Sequence, residues 1–341
     1  MVDHLPHSTY DAVLLVSFGG PEGMNDVIPF LENVLRGRNV PRERMLGVAK
    51  HYETFGGVSP INEQNRQLIA ALTQELETNR PQLPIYFGNR NWHPLLADTL
   101  RQMRDDGIKN ALAFVTSPYS SYSSCRQYLE NISAAREAVG PDAPHVDKIR
   151  AFYNHPDFIQ ANVEQIRVAI ESFPESQRAA LHLVFTAHSI PESMAQTCDY
   201  ETQLQETSRL IADELGVENW RLTFQSRSGS PTQPWLGPDV CEYLKELKTF
   251  GVNDVVVAPI GFISDHMEVI YDLDLEARQL CEAIGMNLRR AATVGTHPLF
   301  VKMIRELILE RLDPTRERRF VGTGGPRPDE CHAECCLIQN N

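Results

Sequence analysis

In "NDVVVAPIGFISDHMEVIYDLDLEARQL", residues 253–280, an apolar run at Val255–Ile263 stops abruptly at Ser264-Asp265-His266. An unbroken run of this kind, without polar alternation, marks a strand buried on both faces. A helical pattern then follows, with acids at Glu268, Asp272 and Glu276. On a helix that i, i+4, i+8 spacing lines carboxylates along one face, where like charges repel by a few tenths of a kcal/mol per pair (about 0.2–0.5). The stretch therefore reads as strand, loop and helix, with an unfavourable row of carboxylates at the carboxyl end of a buried strand.

The same sentence is written along the chain. Apolar β-rich runs recur as "DAVLLVSFGG" (11–20), "LPIYFGNRNW" (83–92), "NALAFVTSPYSS" (110–121), "ALHLVFTAHSIPES" (180–193) and "WRLTFQSRSG" (220–229). Helical patterns such as "NEQNRQLIAALTQELE", "YETQLQETSRLIADELG" and "FVKMIRELILERL" lie between or after them. This alternation predicts an α/β protein with two Rossmann-like parallel-sheet domains and helices on both faces. Residues 131–180 read as mostly helical and polar, bridging the halves. The first domain is expected at 9–165, completed by the last helix at 298–314, and the second at 166–297. Residues 315–341, rich in Gly, Pro and Arg, read as a tail that something must hold.

Composition narrows the partners. The chain has 341 residues, 42% hydrophobic and 23% charged, with a formal net charge of -13. A polyanion such as nucleic acid is disfavoured, because its affinity rests on phosphate neutralisation by cations. No run approaches the roughly 20 apolar residues of a membrane span. The N-terminus lacks a secretory pattern, which gives a cytoplasmic expectation. Seven cysteines, an odd number in such a chain, argue against a disulfide framework.

Ligands of open parallel sheets sit beyond the carboxyl ends of strands, so a cleft between the halves is the expected site. "SFGGPEG" matches neither the G-x-G-x-x-G nor the Walker pattern, which argues against a nucleotide. His188 follows "LVFTA" and faces two readings, a structural hydrogen-bonder or a proton acceptor and metal ligand. The second His/acid group at a strand end, Asp265-His266-Met267-Glu268, favours the chemical one. The acid row is either a solvated helix face or a queue of divalent-cation sites.

"FGGVSPIN", "TAHSIPES", "QSRSGSPTQPWLGP" and "GFISDHMEVIYDLD" together resemble the ferrochelatase family over about residues 11–312. "LLVSFGGPEG", "FLENVLRGR" and "YFGNRNW" are most similar to its bacterial coproporphyrin III branch of actinobacterial type. The resemblance implies two chelatase-type halves with a porphyrin between them, and insertion of Fe2+ with release of two protons. His188 would accept pyrrole protons or ligate metal, Glu268 would face it, and Asp272 and Glu276 would continue the metal path. Phe18, Arg36, Tyr52, Ser59 and Tyr128 match positions that hold the porphyrin and its propionates. Arg36 has the plainer alternative of capping its helix. Phe18 stands where some relatives have an iron-coordinating tyrosine, and His51 where some have arginine.

A branch of the family binds a [2Fe–2S] cluster through one internal and three C-terminal cysteines. The resemblance gives that role to Cys125, Cys331, Cys335 and Cys336, against a frayed tail with incidental thiols. Their C-x3-C-C spacing is unlike the C-x2-C pairs of zinc knuckles. The competing functions are a protoporphyrin IX enzyme, a cobalt chelatase, and a non-catalytic tetrapyrrole or metal carrier. Coproporphyrin III is favoured by a segment after "SFGGPEG" that reads as short and polar.

Overall fold

A computed structural model of the protein describes residues 10–37, 40–228, 232–331 and 334–337. Residues 229–231, inside "QSRSGSPTQPWLGP", and residue 9 at the expected domain start lie outside the described residues. Strands β1 (Ala12–Ser17), β2 (Ile85–Asn89), β3 (Asn110–Val115) and β4 (His145–Lys148) form one sheet. Strands β5 (His182–His188), β6 (Trp220–Gln225), β7 (Asp254–Ala258) and β8 (Asn287–Arg290) form the other. The orders are β2-β1-β3-β4 and β6-β5-β7-β8, the same permutation twice. Every pairing is parallel.

The six expected strands are present, and two more lie beyond them. Residues 131–180 are not simply a helical bridge, because they contain β4. Both additional strands, "HVDK" and "NLRR", sit at a sheet edge with one side unpaired. A short edge strand buries little, so it carries no apolar run to announce it. The central β1, by contrast, is buried at every position.

The halves share one core. Val13, Leu15 and Phe114 of the first sheet and Phe185 and Val256 of the second belong to a single apolar cluster with Phe158 and Ile304. The last two come from helices Pro156–Glu171 and Pro298–Leu312, which pack against each other. Each begins with His-Pro: proline supplies a preset φ in the first turn. The preceding ring Nδ1, of His155 or His297, accepts a free backbone N–H at 3.2 or 3.3 Å. The helix Pro298–Leu312 also packs on Ile61–Asn79 of the first half.

The tail is anchored well before its cysteines. Arg150, fully buried, grips Glu310 through two bonds of 2.7 and 2.9 Å and donates to the Arg319 carbonyl at 2.9 Å. Asn154 donates to the Gly325 carbonyl, and the Thr323 N–H donates to Glu206. No helix among the described residues is long and apolar enough to cross a membrane.

Candidate active site

His188 is the last residue of β5, and Glu268 follows the loop that leaves the adjacent β7. Gly261 lets that loop cross tightly over β5, since a Cβ there would lie 2.6 Å from the Ala187 Cα. Its N–H donates to the Thr186 carbonyl at 3.0 Å. His266 then caps the next helix, its Nδ1 accepting the Glu268 N–H at 3.1 Å. The outcome is a close pair, His188 Nε2 to Glu268 Oε1 at 3.6 Å, with 31% and 46% of the side chains open to solvent. His188 is fixed from behind: its Nδ1 meets the Ser189 carbonyl, and Tyr200 donates to the His188 carbonyl at 3.1 Å.

The acid row lies on an unusual helix. After Met267–Val269 the chain winds as a π-helix over Ile270–Ala277 and only then becomes α-helical, at Arg278–Ile284. The expected regular α-helix is therefore corrected; π segments are rare and often found at functional sites. Arg290 of β8 braces this segment, at 3.1 Å from Asp265 and 2.7 Å from Asp274. Asp272 accepts from Gln225 at 3.1 Å and from the Ser226 hydroxyl. Ser226 adopts φ 61°, a left-handed conformation rare outside glycine.

These surroundings set the charges. For His188, burial opposes the cation, but the Glu268 carboxylate and the Ser189 carbonyl outweigh it and raise the imidazole to about 9. Burial likewise opposes the Glu268 anion, and His188 overrides it, lowering Glu268 to about 2. The contact thus favours imidazolium and carboxylate over the neutral pair. Asp272 is raised to about 7, by burial first and then by Glu268 and Glu276, against the bonds from Ser226 and Gln225. Glu276, though its residue is largely exposed, is raised by partial desolvation of its carboxyl and then by Asp239. Protonating the middle acid relieves the repulsion along the row.

The first half contributes a wall. Phe18, Tyr52 and Trp92 meet Phe30 edge-on, with ring centroids 6.2, 5.9 and 6.3 Å away. Met267, Ile270 and Tyr271 pack into the same cluster, so the wall touches the acid-bearing segment. Burial and then the Glu268 charge push the Tyr52 phenol up, which ties that ring to the site. Tyr271 also stacks on His51, ring centroids 3.7 Å apart. Ser59 is buried beside Gly20, where a Cβ would lie 2.6 Å from its own. Tyr128 is buried beneath Arg90, whose guanidinium lies 4.4 Å from that ring and 5.6 Å from Phe18. Arg36 extends from the end of the helix Met24–Val34 and bonds to Asn33.

Several participants carried no individual expectation: Arg90, Trp92, Gln225, Ser226 and Arg290. All five lie at or just beyond carboxyl ends of strands, the position where ligands gather in such sheets. The segment after "SFGGPEG" proves not to be polar. It buries Val27, Phe30 and Leu31 and exposes Met24, and the following helix Arg42–Thr54 exposes Leu46 and Val48, so the expected basis for choosing between porphyrins fails.

The tail brings its thiols back to the body. Cys335 and Cys336 sulfurs are 3.5 Å apart. Cys331 lies within hydrogen-bond reach of Cys125 and Cys335, and the Cys125 contact lowers its thiol. That contact and burial raise Cys125 in turn. Arg126 donates to the Cys335 carbonyl at 3.0 Å, and Thr197 to that of Leu337 at 2.8 Å. Four convergent thiols are the donor set that an iron–sulfur cluster requires.

His155, Asp157 and Glu306 also converge, with ligand atoms within 4.8 Å of one another. Cations already occupy them, however: Lys302 and Arg319 reach Asp157 at 3.0 and 3.1 Å, and Lys302 reaches Glu306 at 3.4 Å. Burial, aided by these cations and Arg150, pushes His155 down to about 3. The set is a structural ion network.

Residues 10–312 match the family model described as Ferrochelatase. The chain is 57% identical to the "Ferrochelatase" of Rhodopirellula baltica, covering 96% of this chain and 93% of that protein. It is 48% identical to the "Coproporphyrin III ferrochelatase" of Streptomyces griseus, with 98% and 96% covered. Among solved structures, SirB from Bacillus subtilis with Fe3+ matches with a TM-score of 0.55 at 10% identity, covering 88% of this chain and 96% of that one. That likeness concerns the fold alone.

Proposed function

The chain belongs to the ferrochelatase family, and from that premise we propose that it inserts Fe2+ into coproporphyrin III, with His188 and Glu268 carrying the chemistry. It is a metal-insertion enzyme of haem biosynthesis. The observation that carries the reading is the His188–Glu268 contact of 3.6 Å, between the end of β5 and the helix that follows the β7 loop.

Insertion replaces two pyrrolic N–H protons with one Fe2+, so protons must leave the point at which a dication arrives. His188, raised to about 9 by its carboxylate neighbour, is already protonated at pH 7 and cannot accept another proton. An Fe2+ ion reaching Glu268 cancels that negative charge. Burial then dominates and the imidazolium loses its proton outward. The neutral ring is now a base placed to take the pyrrole protons one at a time, releasing the first to solvent at its open face before taking the second. Asp272 and Glu276 form the outward part of the path, offering successive carboxylate sites to the cation. Phe18, Tyr52, Ser59 and Tyr128 hold the macrocycle from the first half, and Arg36 meets a propionate. Residues 9–165 with 298–314, and 166–297, act as the two lobes.

Cys125, Cys331, Cys335 and Cys336 hold a [2Fe–2S] cluster. The cluster, when bound, supplies a one-electron couple and cross-links the tail to the body; no step of iron insertion passes through it.

The relatives' names support coproporphyrin III, while the exposed apolar side chains of Met24, Leu46 and Val48 suit protoporphyrin IX, the second reading. Iron insertion into both porphyrins, measured side by side at matched concentrations, separates them. At least tenfold higher kcat/KM on coproporphyrin III is expected, and the reverse preference overturns the substrate assignment. Porphyrin binding without any insertion would identify a carrier.

A further inference from the structure

Lys148 closes the edge strand β4 and is only 9% exposed. Its Nζ donates to the Ile149 carbonyl at 2.9 Å. Among the described residues no carboxylate lies within ion-pair distance of it. Arg150, two residues on and more deeply buried, is by contrast held by both oxygens of Glu310. A buried charge without a counter-charge is strongly disfavoured, so the ammonium needs an anion that is not a carboxylate. What faces it is sulfur: Lys148 and Cys125 line the same small cavity, with Ser117 and Ser124. The ammonium acts electrostatically on both Cys125 and Cys331.

We propose that Lys148 is the built-in counter-charge of the thiolate-bound [2Fe–2S] cluster and raises its reduction potential, an inference that rests on the cluster reading given above. A [2Fe–2S] cluster on four thiolates is anionic, and one-electron reduction makes it more so. Net charge and hydrogen bonds at the sulfurs are among the main determinants of such potentials. A fixed cation in a poorly solvated pocket therefore favours the reduced form. Removing it leaves the added electron uncompensated.

The test compares the full-length protein with Lys148→Met, Lys148→Gln and Lys148→Arg after anaerobic reconstitution. Iron and sulfide content, visible absorption and a dithionite titration followed by electron paramagnetic resonance are measured on each. Expected is a full cluster in all four, with the Met and Gln variants at least tenfold harder to reduce. That is about 59 mV lower for a one-electron couple, with Arg close to the parent. Loss of the cluster from the two neutral variants but not from Lys148→Arg supports the same role. An unchanged potential in a fully loaded neutral variant overturns it, as does cluster loss in all three. Absence of iron and sulfide from the parent protein overturns the cluster reading itself, and this proposal with it.

Discussion

The two sheets have the same strand order, yet the ends of their equivalent strands differ in kind. Central β1 runs out into Ser17-Phe18-Gly19-Gly20, and central β5 into His188-Ser189-Ile190-Pro191. The loop after β7 adds Asp265, His266 and Glu268, and the π-helix adds Asp272. The first half thus offers rings and small residues, and the second offers imidazole and carboxylates. On the reading proposed above, one frame, used twice, would separate holding a flat guest from doing chemistry at its centre. The separation has a physical logic. Carboxylates facing a macrocycle from both sides would compete for one cation, and an apolar wall opposite them keeps water from screening their field.

If chemistry resides only in the second half, His188→Ala should have the largest effect. Its iron insertion is expected to fall about 10²–10⁴-fold, while porphyrin binding followed by fluorescence persists. Loss of porphyrin binding instead would make His188 part of the holding surface. Glu268→Gln comes next and tests the electrostatic pairing directly. With the carboxylate gone, burial governs the imidazole, so His188 should titrate well below its present value of about 9. NMR of the ring across pH 5–10 reads this. The pairing also makes a stability statement. A histidine raised from 6.5 to about 9 stabilises the fold fully below about pH 6.5, and that contribution fades as pH rises through about 9. In Glu268→Gln the fade should vanish from denaturation curves.

Asp272→Asn should act more mildly. The position stays hydrogen-bonded to Gln225 and Ser226, so the fold persists while one cation site is lost. A rise in KM for Fe2+ of roughly tenfold, about 1.4 kcal/mol, with kcat nearly kept is the expected split; a fall in kcat alone would remove Asp272 from the delivery path. The smallest effect on chemistry belongs to the first half. Phe18→Ala should weaken porphyrin binding and cost about 1–3 kcal/mol of stability, read by urea denaturation. Its turnover at saturating porphyrin should remain close to the parent's. Turnover lost as deeply as in His188→Ala would erase the division of labour.

Legibility in the sequence followed burial. β1, β3, β5 and β7 were readable because central strands of a parallel sheet bury both faces and so spell continuous apolar runs. β4 and β8 were not, since an edge strand of four residues needs no such run. Lys148 lies on one of these unread strands, and Arg290, which braces the acid row, lies on the other. The two parallel-sheet halves were expected, but the strand order they share was not, because strand order leaves no repeat in the residues. The acid row was visible as spacing, but its π-helical winding was not, since that winding depends on tertiary partners such as Arg290, Gln225 and Ser226.

The amino-acid order alone determined the α/β class, the strand ends where ligands gather, and the chemical types waiting there: imidazole, carboxylates and thiols. Only the tertiary structure decided which of them meet. His188 and Glu268 become a pair because parallel pairing of β5 with β7 sets their strand ends side by side, and that contact favours the charged form of the histidine. Cys125 meets the tail because Arg150, Asn154 and Glu206 steer the chain back across the body. Proton affinity depends on neighbours a few ångströms away, and neighbours distant in the chain are set by packing.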